Sequence, residues 1–570
     1  MGNTLSSNYT YEPTILDLGK NGSLKGKLID GRVKRFTGVP YAKPPTGQYR
    51  WRKTRPLDFN HVYTSSEKQG DPLDCTKLGP HAWQNPMTFP GMGSSEGETR
   101  YDEDCLMMNI WMPADEEVPE GGWPIMVWFH GGFLQMGNPC IDDISAPTEL
   151  ISTAGLKCIF IAPAYRLGVF GFLASKELAE EAEEDGEEGV VGNYGMWDQR
   201  IALEWVQQYA PAFDGDRKAV CLAGMSAGAY SVHAQTGRTG AHAFLIGLGG
   251  KAHALLMEKD HTGPSPPLSI KRIVLHSNAI PTNPKSLGEV QPQFDELLGV
   301  HGIAQDLSSK EKLDRLRALD AKVLIGKVKE MSRHTFRPVA DGKFFPHDLF
   351  KRFGNGDFPR EIKQRGISVL LGEVLNEECT YRMGAPKDPA KLRAEITNLY
   401  PGSVTDKLIH AYTVDKIHLP TALPDPNKHI GATEKLYGDI VSDGQVRAPE
   451  RLLLQQLRDA GVPLSSVHRY LIGWKPTFVK KVLPDVMGVP HGSDGVIWSF
   501  AVGFGATEED KVVMTEWIQD LVKFVNGEEM NYGTTEWTEQ KCLGPDGKIS
   551  IRKDEKWDYL CQVANLMADE

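Results

Sequence analysis

The stretch Ala219–Ser231 reads AVCLAGMSAGAYS. An apolar, β-prone run stops abruptly at Gly224-Met225-Ser226-Ala227-Gly228, and small residues compatible with a helix follow. Strand, sharp turn and helix form the setting of a G-x-S-x-G nucleophile elbow. A serine at the tip of so tight a turn leaves no room for β-carbons two positions either side, where strand and helix nearly touch. The helix N-terminus beyond it points free N–H groups and a positive dipole end at developing negative charge. Ser226 is therefore read as a nucleophile, the competing reading being a buried turn serine. Five common residues recur by chance, so the claim needs partners elsewhere in the chain.

The totals narrow the field. With 570 residues and a net charge of -12, the chain lacks the cationic balance of a nucleic-acid-binding surface. No apolar run approaches ~18 residues, so no membrane span is expected. The start, MGNTLSSNYT, lacks the basic and apolar regions of a secretory signal. Through Gly2 and Ser6 it fits a myristoylation motif. Asn8-Tyr9-Thr10 and Asn21-Gly22-Ser23 are glycosylation sequons. Eight cysteines show no zinc spacing, so neither metal nor cofactor is expected. Cys158 and Cys221 lie in apolar runs and read as core thiols.

Along the chain, residues 23–42 alternate with Gly punctuation and read as short antiparallel strands. Apolar runs at 105–112, 124–129, 158–168, 272–276, 367–372 and 467–473 fit strands buried on both faces. Helical patterns lie between them: 192–210, a segment opened by the capping box Ser308–Glu311, and an amphipathic helix over roughly 507–526. The acidic run 177–189 reads as a solvated helix end. Strands alternating with helices over the whole length predict one α/β domain over 23–570, preceded by an N-terminal extension, 1–22.

A serine nucleophile needs a base to take its proton and a third group to orient that base. In this fold they follow in the order serine, acid, histidine. GISVLLGEVLNEECTY offers Glu373, Glu377 and Glu378 for the acid, and VMGVPHGSDGVIWSF places His491 on a loop among small residues.

With these partners in view, the chain resembles the type-B carboxylesterase and cholinesterase family of α/β-hydrolases. The matching blocks are FTGVPYAKPPTGQYRW, EDCLMMNIWMP, GNYGMWDQRIALEWVQQYAPAFDGD, GMSAGAYSVH, FRPVADGKFFP, YGDIVSDGQVRAPERL and HGSD, in the family's order. The resemblance implies an α/β-hydrolase fold with a mostly parallel central sheet and a small N-terminal β-element. It puts the catalytic triad at Ser226, Glu377 and His491. Glu377 is chosen because Asn376-Glu377 matches the family's Asp/Asn-Glu pair. The oxyanion hole falls to backbone N–H groups of Gly132, Phe133 and Ala227, and Met225 and Gly131 are expected at the substrate pocket.

Two departures bear on specificity. Phe133 replaces the third glycine of the family's loop; its N–H still serves if its backbone adopts an ordinary L-residue conformation, and its ring narrows the acyl or alcohol pocket. Met225 stands where most relatives carry Glu, which removes a charge suited to cationic substrates. The expected reaction is hydrolysis of a neutral, largely apolar small-molecule ester through an acyl-serine. The alternatives are acyl transfer or natural-product tailoring with the same triad, and a non-catalytic binding domain. The resemblance also implies a Cys75–Cys105 disulfide, which would place the chain in an oxidising compartment; the missing signal points to the cytoplasm. Finally, 238–268 is longer than the family leads one to expect and reads as an inserted lid or a surface elaboration.

Overall fold

Runs of Val, Ile, Leu and Phe too long to be amphipathic must be covered on both sides. In the computed structural model they form the centre of a 13-stranded sheet. Residues 9–568 are described, apart from 67, 69, 86–99, 141–143, 188, 245–268, 281, 416 and 418–430. The strands are β1 (Tyr11–Asp17), β2 (Ser23–Ile29), β3 (Val33–Pro40), β4 (Leu73–Asp74), β5 (Met107–Pro113), β6 (Trp123–Phe129) and β7 (Ile159–Pro163). Then come β8 (Gly215–Met225), β9 (Ile270–His276), β10 (Ser368–Val374), β11 (Val467–Ile472), β12 (Glu539–Leu543) and β13 (Ile549–Lys553). Their lateral order is β1-β2-β3-β5-β7-β6-β8-β9-β10-β11-β12-β13, with β4 beside β2. Pairing is parallel from β7 across to β12 and antiparallel at both flanks. This is the α/β-hydrolase arrangement.

Strand alternation sends successive side chains to opposite faces. Leu222, Ile273 and Leu371 enter one core with Trp205 and Val206 of α1 (Tyr194–Tyr209) and Val232 of α2 (Ala227–Phe244). Cys221, Val274 and Leu370 enter the other, and the 508–526 helix covers them with Met514, Trp517, Ile518 and Leu521. Between the first core and the C-terminal helix Trp557–Ala568 lie α3 (Ala432–Ser442), a π-helical turn at Asp443–Arg447, and α4 (Ala448–Asp459). Among the described residues no helix is long and apolar enough to cross a membrane.

Three sequence expectations need correction. Residues 11–17, assigned to the N-terminal extension, are the sheet's edge strand, paired residue for residue with β2. Their pattern was hard to read because an edge strand buries only Leu16. The acidic run is not wholly solvated: Glu177 is buried and binds Lys312 Nζ at 3.0 Å, while Glu181 takes a bidentate contact from Arg317. The Cys75–Cys105 disulfide is absent, and both are free buried thiols. Cys75 is tied by its backbone to Lys25 and Thr37, whereas the Cys105 thiol sits in the field of the Arg166–Asp198 pair. Burial pushes the Cys75 thiol up to about 12 and raises Cys105 as well, so each stays protonated as a small apolar filler. Cys158 and Cys221 are core thiols, as read. The Gly2 and Asn8 motifs, and the part of 238–268 beyond Phe244, lie outside the described residues.

Candidate active site

The elbow owes its shape to its glycines. A β-carbon at Gly228 would stand 1.9 Å from the Phe129 carbonyl oxygen, and one at Gly224 would stand 2.4 Å from the Gly228 carbonyl carbon. Strand β8 thus ends flush against the start of α2, and Ser226 between them is forced to φ 55°, the left-handed region. Its N–H donates to the His276 carbonyl at the end of β9, 2.7 Å away, which anchors the turn to the sheet. Its carbonyl accepts from the Tyr230 N–H at 3.0 Å, which starts the helix.

Glu377 lies just past β10 and is 0% exposed. Its Oε1 accepts from the Val374 N–H at 2.9 Å and from Ser277 Oγ at 2.7 Å. Its Oε2 lies 2.5 Å from His491 Nδ1. Each contact fixes the carboxylate's orientation, and the last assigns Nδ1 as the ring nitrogen that carries hydrogen. The base loop is stitched to the acid loop by the Asn376 side chain, which accepts from the Val489 N–H at 3.0 Å, and by the Thr380 hydroxyl, which donates to the His491 carbonyl at 3.1 Å. Nε2 of His491 is buried and has no hydrogen-bond partner among the described residues. Ser226 Oγ makes no hydrogen bond to it; such contacts commonly close only in the substrate complex.

The other two carboxylates named from the sequence are engaged elsewhere. Glu373 is held by Arg451 at 2.8 Å through both oxygens. Glu378 binds Arg447 at 2.5 Å, which holds its carboxyl down near 2 against the opposing effect of burial.

Gly131 faces Ser226: a β-carbon there would be 3.2 Å from Ser226 Cβ and 2.8 Å from the Met225 carbonyl oxygen. The Met225 side chain spans from Gly131 to Gly492, where a β-carbon would meet its terminal methyl at 2.9 Å. An unbranched thioether thus packs between the nucleophile and base loops. Gly132 has φ 111°, and Phe133 and Leu134 follow at 59° and 65°. Phe133 thus lacks an ordinary L-residue backbone, the condition set for its N–H from the sequence, and instead keeps the left-handed conformation that a glycine at this place would adopt. The glycine-like conformation is kept with a side chain present, at roughly 1–2 kcal/mol of strain. The loop folds back so that the N–H groups of Gln135 and Met136 both reach the Gly132 carbonyl. The N–H groups of Gly132, Phe133 and Ala227 donate to no acceptor among the described residues. The Phe133 ring meets Tyr381 edge-on at 5.6 Å, and Tyr381 in turn lies 5.2 Å from the His491 ring.

Several participants were not singled out from the sequence. Ser277, directly after β9 and at φ 53°, was signalled only by a polar residue closing an apolar strand run. His130 stacks on Tyr165 at 4.3 Å, and burial lowers it to about 4, so it is a neutral spacer under the glycine loop. Among the described residues, no group of three or more His, Cys, Asp and Glu side chains is placed to hold a metal ion.

The chain is similar to known proteins along nearly its whole length. Residues 14–556 match the model of the carboxylesterase family. An uncharacterized esterase/lipase of Schizosaccharomyces pombe is 35% identical over 564 residues, 98% of this chain and 97% of that protein. A carboxylic ester hydrolase of Gibberella moniliformis is 34% identical, over 97% and 95% of the two chains. An acetylcholinesterase of Bungarus fasciatus is 28% identical over 83% of this chain and 71% of its own. In three dimensions the chain is similar to the crystal structure of Aspergillus niger EstA, with a TM-score of 0.70 at 20% identity over 97% and 98% of the chains. The chain is an enzyme of the carboxylesterase family.

Proposed function

We propose that this enzyme hydrolyses a carboxylic ester through an acyl-serine intermediate, with Ser226 as nucleophile, His491 as base and Glu377 as the group that orients the base. The observation that carries the reading is the 2.5 Å contact of His491 Nδ1 with buried Glu377, which leaves Nε2 buried and without a hydrogen-bond partner among the described residues. Nε2 removes the Ser226 hydroxyl proton as Oγ bonds to the ester carbonyl carbon. The tetrahedral oxyanion is taken up by the N–H groups of Gly132, Phe133 and Ala227. Nε2–H then protonates the departing alkoxide as its bond to carbon breaks. Water repeats the cycle: His491 takes its proton, hydroxide adds to the acyl carbon, and Ser226 leaves with the proton returned. One oxyanion donor contributes ~2.7–4 kcal/mol, so the left-handed Phe133 has to be held in place.

Met225 and the Phe133–Tyr381 pair favour an apolar, uncharged body next to the carbonyl over a choline head group. Labelling with a fluorophosphonate and peptide mapping tests the nucleophile. Ser226 is expected to carry the label, and Ser226→Ala to lose it together with ~10⁴-fold or more in kcat. Label on another serine of the folded enzyme refutes the assignment. A tenfold or larger preference in kcat/KM for a choline ester over its uncharged isostere refutes the specificity.

A further inference from the structure

Beside the 131–136 loop stands a cation with no counter-ion among the described residues. Arg337 is partly buried, and the loss of solvent lowers the pKa of its guanidinium. Its guanidinium donates to the Phe133 carbonyl at 3.4 Å and to Gln445 Oε1 at 3.2 Å, both neutral acceptors. Among the described residues no carboxylate pairs with it; its neighbours are the phenols of Tyr230, Tyr400 and Tyr381. The charge density here is more positive still, because Lys285 lies within the field of Arg337, and burial together with that field pushes its amine down to about 8. An uncompensated buried guanidinium is costly, and most arginines this deep in the molecule have carboxylate partners, as Arg447 and Arg451 do.

A second observation is independent of the charge. Gln445, on the π-helical turn, is 2% exposed, and with its Oε1 occupied by Arg337 its Nε2 has no partner among the described residues. Tyr400 is fully buried, and its hydroxyl faces the Gln445 side chain without a well-formed hydrogen bond among the described residues. Buried polar groups left open in this way call for an explanation, and here each is able to donate. A guanidinium, an amide N–H and a phenol O–H with no carboxylate among them make a receptor for an anion. Planar bidentate recognition by Arg suits a carboxylate.

The position ties this receptor to the reaction. Arg337 is bonded to Phe133 of the oxyanion loop, lies over the Tyr230 ring at 6.0 Å, one helical turn past Ser226, and neighbours Tyr381, which packs on His491. We propose that Arg337, Gln445 and Tyr400 form a carboxylate subsite, so that the enzyme's ester carries a carboxylate at the end of its acyl or alcohol part, away from the scissile carbonyl. This rests on the ester-hydrolase reading above and replaces the expectation of a wholly neutral ester with an apolar body ending in a negative charge.

The test compares matched esters in two arms: monomethyl adipate against methyl hexanoate for the acyl side, and 4-carboxyphenyl butyrate against phenyl butyrate for the alcohol side. The readout is the ratio of kcat/KM for the charged and neutral members, measured for wild type, Arg337→Gln, Arg337→Lys and Gln445→Leu. A wild-type ratio of ten or more in one arm is expected, and that arm identifies the side that carries the charge. The ratio should fall at least tenfold in Arg337→Gln, fall by less in Arg337→Lys, and drop in Gln445→Leu. A wild-type ratio below one in both arms overturns the subsite while leaving the hydrolase intact. So does a loss in Arg337→Gln that is equal for both members, which would make Arg337 a support of the Phe133 loop alone. Turnover of none of the four esters, with Ser226 unlabelled, overturns the hydrolase reading and the subsite with it.

Discussion

Asp494 shows how much a single residue near the site depends on burial. It lies three residues past His491; Trp498 Nε1 donates to one of its oxygens at 2.8 Å, and the other is buried without a partner among the described residues. Burial, reinforced by the nearby Glu377 charge, raises its carboxyl from 3.8 to about 6. A carboxyl raised by folding favours the protonated native state. Its contribution to stability is complete below the unfolded value and is lost as pH rises through about 6. Asp494→Asn keeps an acceptor for Trp498 and removes the titration. Relative to wild type it should gain up to ~3 kcal/mol between pH 4 and pH 7.5, measured by urea unfolding at both. An unchanged difference at the two pH values would refute the raised carboxyl. Ser226, Met225 and His491 were legible as residues, whereas the state of Asp494 was not, since burial is set by segments distant in the chain.

At the scale of the element, the elbow is held by contact of backbones rather than by side-chain bonds. The space at Gly228 is closed by the Phe129 and His130 carbonyls, which have no freedom to move aside. Gly228→Ala should therefore lose at least ~3 kcal/mol or fail to accumulate as soluble protein. A thermal midpoint within a degree or two of wild type would contradict the close approach. This element was readable because glycine spacing around a serine encodes a local steric demand. The oxyanion loop was readable only in part. Phe133 could be placed by its neighbours His130, Gly131 and Gly132, but its left-handed backbone could not. Gln135 Nε2 and the Arg337 guanidinium both reach its carbonyl, and Arg337 is about two hundred residues away in sequence.

Across the whole molecule, charges are buried in a connected ladder behind the site. Arg451, 0% exposed, holds Glu373 through two 2.8 Å bonds and Asp554 at 2.9 Å; Arg469 binds Asp554 at 2.6 Å and Glu450 at 2.7 Å. The ladder joins β10, α4, β11 and the segment before the C-terminal helix. Arg451→Met leaves Glu373 buried without its cation and Asp554 with Arg469 alone, and should cost ~3–5 kcal/mol by chemical denaturation. A loss under 1 kcal/mol would mean that Glu373 and Asp554 are taken up by other donors. The eight cysteines provide a second measurement at this scale: all are buried, and none is joined in a disulfide. Without reductant, the native enzyme should react with almost no dithionitrobenzoate and the denatured enzyme with eight equivalents. Six equivalents would restore one disulfide.

The order of strands and helices, the elbow and the loops bearing His491 and the acid followed from the sequence alone, because each is encoded by local periodicity, glycine spacing and chain order. Within six positions of one another, Glu373, Glu377 and Glu378 were chemically alike there, and kinship had to choose among them. Tertiary structure separated them physically, giving two to buried arginines and one to His491. It also gave β1 its place at the sheet edge, left Cys75 and Cys105 as separate thiols, and gathered Arg337, Tyr400 and Gln445 from three distant segments. Charge pairing, thiol proximity and the emptiness around a guanidinium are distances in space, and they exist only once the chain has folded.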